Sequence, residues 1–142
     1  MPTDTNALIL EQLADALIYA DAEGRIAGWN RAASELFGYR ADETLGQSLD
    51  LIIPERLRAA HWKGFHAAIE SGKTRLSGKP TLTKAVHKDG RKLFVEMTFA
   101  LVSDAQGKSI GSVAIARDVT ERVERERAEK AVQAQPPGSA GS

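Results

Sequence analysis

From Leu93 to Leu101 the chain alternates. Leu93, Val95, Met97, Phe99 and Leu101 fall on one register, and Phe94, Glu96, Thr98 and Ala100 on the other. A period of two places the first set on one sheet face, toward a core. Turn sequences flank this run: Lys88-Asp89-Gly90-Arg91 before it and Asp104-Ala105-Gln106-Gly107 after it. Residues 73–120 therefore read as three strands joined by tight turns, which commits the second half of the chain to an antiparallel sheet.

The first half has a different rhythm. Residues 4–14 read as a short amphipathic helix capped by Asp4 or Thr5. "ALIYADAEGRIAGWN" alternates around a turn at Asp21–Gly24 and predicts two more strands. "NRAASELFGY" opens on a cap-competent Asn30, groups Ala33, Leu36 and Phe37, and ends at Gly38. A further short helical turn and an apolar run lead to Pro54. From Val119 the chain is charged and helical, with a thin stripe of Val119, Val123, Ala128, Ala131 and Val132 suited to pairing with another helix. "PPGSAGS" reads as a disordered tail. The expected organisation is an N-terminal helical cap over 1–12, a domain over 13–120, a C-terminal helix or linker over 121–135 and a tail over 136–142. The expected class is α+β, one antiparallel sheet with its helices on one face.

The segment from Pro54 to Gly72 predicts the longest helix, with proline in the first turn and glycine at the C-terminal cap. Leu57, His61, Phe65, Ala68 and Ile69 share one face of it, while Arg56, Arg58, Lys63, His66 and Glu70 lie mostly elsewhere. His61 is thus expected to point inward between a leucine and a phenylalanine. Two readings stand: a core histidine hydrogen-bonded to a backbone carbonyl, or an axial ligand to a heme iron between apolar walls. His87, beside a hairpin turn, is expected to be solvated. The three histidines have no metal-triad spacing, no glycine-rich phosphate loop is present, and no catalytic constellation emerges, so an enzyme is not expected.

Balance of charge narrows the partners. Lys and Arg together number 19, as do Asp and Glu, so no basic excess draws nucleic acid or an anionic membrane. The chain has no cysteine, which removes disulfides, iron–sulfur clusters, thiolate zinc and a flavin–cysteinyl adduct. No apolar run reaches membrane-spanning length, and a soluble cytoplasmic protein is expected.

Three motifs in order carry a resemblance: "ADAEGRIAGWNRAASELFGYRADETLGQSL", "HKDGRKLFVEM" and "ARDVTER". The chain resembles a PAS domain of the S-box type from about Leu13 to Arg122, with Val119 where the closing Asp-Ile-Thr signature has isoleucine. That resemblance implies a five-stranded sheet in the order 2-1-5-4-3, a ligand pocket between sheet and helices, and signalling through the flanking helices. Asp118 and Thr120 would anchor the exit helix to the sheet; either also suits the cap of that helix.

Within the family, "IPERLRAAHWKGF" and "SGKTRLSG" are similar to heme-binding sensors of the direct-oxygen-sensor and oxygen-sensing histidine kinase type. There the proximal histidine follows a proline by seven residues, the spacing of Pro54 and His61. The resemblance implies heme b on His61, Arg75 on a propionate, and Leu57, Phe65, Leu76, Thr81, Met97 and Phe99 around the group. Lys79 stands where the sensors of the direct-oxygen-sensor type carry a methionine ligand, and Thr81 stands where both types carry an oxygen-holding arginine. Met97 is the candidate distal ligand, though packing is the ordinary role of such a methionine. The alternatives are a cofactor-free interaction module, or a flavin pocket that Trp29 could line. The expected partners are a second copy through the terminal helices, a signalling protein in trans, and a diatomic gas if heme is bound.

Overall fold

The computed structural model describes residues 4–73 and 79–134. Helix α1 (Thr5–Gln12) is capped by Asp4, whose carboxylate accepts from the Asn6 N–H. Strands β1 (Ala16–Asp21) and β2 (Ile26–Trp29) follow, then helices α2 (Arg31–Phe37) and α3 (Ala41–Thr44). Two 3₁₀ turns, Leu49–Ile52 and Glu55–Leu57, lead into α4 (Arg58–Ser71). Strands β3 (Thr81–Val86), β4 (Lys92–Ser103) and β5 (Ser109–Asp118) complete the sheet, and α5 (Thr120–Gln133) leaves it. The sheet is antiparallel throughout, in the order β2-β1-β5-β4-β3.

Asn30 joins the first strand to the helical layer. Its side-chain oxygen accepts from the Leu17 and Ala33 N–H groups, and its amide donates to the Leu10 and Asp15 carbonyls. One buried side chain thereby satisfies four backbone groups from α1, the link after it, β1 and α2. Trp29 packs beside it on Phe37 and donates its indole N–H to the Ser34 hydroxyl and the Tyr39 carbonyl.

Several expectations need correction. The long helix starts at Arg58; Pro54 instead caps the 3₁₀ turn, so the helix is one turn shorter than the proline suggested. Helix α1 buries none of its residues, and Leu8, Ile9 and Leu10 are all exposed, so its apolar positions form no inward face here. His87 is not solvated. Its ring packs against Gly38, which sits at φ +83°, and its Nδ1 accepts from the Asp89 N–H. A Cβ at Gly38 would collide with that ring.

The core has two faces. The larger cluster lies between sheet and helices and holds Ile18, Phe37, Phe65, Leu93 and Val95. The smaller lies on the opposite face, where Phe94 packs with Val119 and Val123. Phe94, assigned by alternation to the outward set, is therefore buried by α5. Thr120 anchors this helix without capping it. Its hydroxyl accepts from the Phe94 N–H, and Val119 N–H donates to the Phe94 carbonyl. Asp118 accepts from the Thr120 N–H just ahead of the first turn.

Candidate functional site

A cavity of about 370 Å³ lies between α4 and the sheet. Its sheet side is open because small residues stand where large ones would fill it: Ala20 on β1, Ala85 on β3, and Ser112 and Ala114 on β5. Met97 and Phe99 of β4 form its wall, and Leu57, Ala60 and His61 come down from the helix. Register accounts for the grouping. Ala114 pairs with Ile18 on one side and Phe99 on the other, and alternation turns all three to the helix-facing side.

His61 is the one titratable ring in this lining. It is half-buried, with its ring 4.7 Å from that of Trp62 and 6.0 Å from that of Phe65. Trp62 is itself held by an indole N–H bond of 2.8 Å to the Asp50 carboxylate. Its ring covers Gly24, which sits at φ +84° where a side chain would meet it. His61 Nδ1 is buried and has no hydrogen-bond partner among the described residues. The carbonyl partner expected of a plain core histidine is thus not found there. Burial holds the imidazole pKa below its usual value, with His66 adding to the effect and Asp50 opposing it. The neutral ring is the form that ligates.

The sign of that shift makes a prediction. The unfolded chain protonates His61 near pH 6.5, while the folded protein resists until lower pH. Between those two values the unfolded state binds more protons, so stability is full above pH 6.5 and falls as the solution is acidified. Denaturant midpoints measured from pH 7.5 to 5 will fall, and His61→Leu will flatten part of that slope. An unchanged slope in the variant would remove His61 as its source.

The sequence-predicted residues divide. His61, Leu57, Met97 and Phe99 are brought together in the lining. Phe65 is core and borders an outer groove along α4 that His61 and Phe99 also border, not the cavity itself. Thr81 is not in the lining; Thr83, one step along the same face of β3, is. Trp29 packs in the core and does not line it. Arg75 and Leu76 lie outside the described residues. Sequence reasoning missed Thr83, Ser112 and Ala114; their alternation was legible, but their neighbours across the sheet were not.

No group of three or more histidine or carboxylate side chains that could hold a bare metal ion exists among the described residues. What the site offers is one imidazole among mostly apolar walls, with Thr83, Lys84 and Ser112 on the sheet side. That fits a planar group bringing its own equatorial ligands, and fits a free ion poorly. No helix among the described residues is long and apolar enough to cross a membrane.

A family model described as the PAS fold matches residues 6–119. The oxygen sensor protein DosP of Escherichia coli (strain K12) is 32% identical over 111 residues, covering 78% of this chain and 14% of that protein. The cell-division control histidine kinase PdhS of Brucella anthropi is 34% identical over 85 residues, 60% of this chain and 7% of that protein. The crystal structure of a PAS domain from Colwellia psychrerythraea superposes with a TM-score of 0.71 at 22% identity, covering 82% of this chain and 96% of that one. The chain spans less than a fifth of the length of the curated relatives it matches.

Proposed function

We propose a function from the premise that this chain belongs to the PAS family. It is a sensory, signal-transduction domain. Its ligand, on our reading, is heme b, and the observation that carries this is His61: a neutral ring with an unpartnered buried nitrogen, on the helix side of an apolar cavity. The relative named as an oxygen sensor supports the same reading. Heme bound there supplies an iron centre that answers a diatomic gas or a change of redox state.

The chain's own residues do the rest. His61 would offer the proximal nitrogen, and Leu57 and Phe99 are apolar residues of the same lining. Met97, on the β4 wall of the cavity, would be the distal candidate, and Thr83, Lys84 and Ser112 are the polar residues on the sheet side of a mostly apolar lining. Arg75, with Leu76 beside it, is assigned to a propionate from the sequence resemblance. The output passes from β4 through the Phe94–Thr120 contact into α5, and from there to a second copy through α1 and α5 and to a partner protein in trans. The domain performs no catalysis of its own.

The test is an absorbance titration with hemin, run beside His61→Ala. The expected result is saturable one-to-one binding with a sharp Soret band, weakened roughly tenfold or more in the variant. No saturable binding would leave a cofactor-free interaction module; equal binding by the variant would return His61 to the core.

A further inference from the structure

Overall charge is zero, yet four cations gather at one place on the molecule. Lys84 on β3 pairs in register with Phe94 on β4, and its ammonium lies 6.0 Å from the Phe94 ring centroid. The Arg127 guanidinium, from α5, lies 4.7 Å from the same centroid. Lys92 is two residues before Phe94 on the same face of β4. Arg56, from the 3₁₀ turn ahead of α4, is the neighbour whose charge acts most strongly on Lys84. Arg56 foremost, then burial, then Lys92 and Arg127 hold the Lys84 pKa below the usual lysine range, and no carboxylate opposes them.

None of the four has a salt-bridge partner among the described residues, whereas eight other lysine and arginine side chains there do. Glu96, the carboxylate nearest along β4, is engaged by Arg122. Like charges drawn together from four separate elements destabilise the folded state unless something negative meets them. Apolar surface adjoins them. Leu82, on the same face of β3, is 54% exposed, and β3 is the sheet's edge strand.

We propose that the face formed by Arg56, Lys84, Lys92 and Arg127 beside Leu82 docks an acidic peptide segment of a partner protein that carries an apolar anchor. Charge complementarity selects the partner class. Nucleic acid fits less well: the patch is small, it mixes cations with apolar side chains, and the rest of the chain adds no net positive field. The consequence is local. Phe94 is shared by this face and by the root of α5, so a segment docked here touches the element that leaves the domain. This rests on the reading that output passes to a partner in trans, and because Lys84 also borders the cavity the peptide is titrated into heme-free protein.

The experiment is fluorescence anisotropy of the 142-residue chain with a labelled peptide of glutamates and aspartates around a central leucine. The expected result is saturable binding that weakens with salt. Lys84→Glu with Arg127→Glu should weaken it about tenfold, and Lys84→Gln with Arg127→Gln should weaken it less while keeping the parent's circular dichroism spectrum. Absence of saturable binding at low salt, equal affinity in both double variants, or tighter binding of a single-stranded oligonucleotide of equal charge would each overturn the proposal. The hemin titration is independent of all these outcomes, so failure here leaves that reading standing, and the reverse.

Discussion

If heme occupies the cavity as proposed, replacing Ala114 by phenylalanine will sharply weaken hemin binding and leave the fold intact. Ala114 is buried in the centre of the sheet, between Ile18 and Phe99 in register, and lines the cavity. In a packed core an added ring forces strain of about 1–3 kcal/mol or more. Here the ring enters a space of about 370 Å³, and its burial offsets the strain at roughly 25 cal/mol per Å² of apolar surface. The midpoint of thermal unfolding should stay within a few degrees of the parent's, roughly the shift that 1 kcal/mol produces in a domain of this size. Hemin affinity should fall by about a hundredfold or more, since the cavity and the ring compete for one volume.

Ala33 is the control. It is fully buried in α2 without lining the cavity. Ala33→Phe has nowhere to place its ring and should unfold the domain or cost more than about 3 kcal/mol. The contrast distinguishes a cavity kept open from loose packing. If Ala114→Phe binds hemin like the parent, the group sits elsewhere and His61 owes its unpartnered nitrogen to something else.

Much of this was legible along the chain. Alternation located the strands, and caps such as Asn30 and Gly38 marked the ends of α2 because they are local devices. Periodicity also turned His61 inward. It could not show that Phe94 is buried, because alternation assigns a face without saying whether that face is covered; α5 covers it from a different part of the chain. Nor could it show that Gly38, distant in sequence, receives the ring of His87. The difference between Thr81 and Thr83 in the site is a matter of register against β4, which no pattern within β3 encodes. The resemblance implied a pocket, but what opens it was not legible in the pattern, for a related reason. Alanines at 20, 85 and 114 are unremarked singly and make room only when β1, β3 and β5 bring them to one face.

The second large effect belongs to Phe94. Phe94→Ala removes the ring on which Val119 and Val123 pack and over which Arg127 lies, while keeping the backbone bonds from Phe94 to Val119 and Thr120. Truncating a buried phenylalanine costs about 3–5 kcal/mol. The helix-facing core does not use this ring, so the loss should fall first on the seat of α5. Amides of residues 120–133 should exchange with solvent roughly a hundredfold faster, the factor that about 3 kcal/mol gives for a locally opening helix. Hemin affinity should stay near the parent's, since the cavity is on the other face of the sheet. Thr120→Val, which deletes only the hydroxyl that accepts from the Phe94 N–H, should show the same pattern at about 1 kcal/mol. Unchanged exchange in α5 alongside a lower global stability would mean that the ring supports the sheet and that the helix is held by other contacts. A loss of hemin affinity equal to the gain in exchange would mean that the two faces move as one, and that occupancy of the cavity is read directly at the root of α5.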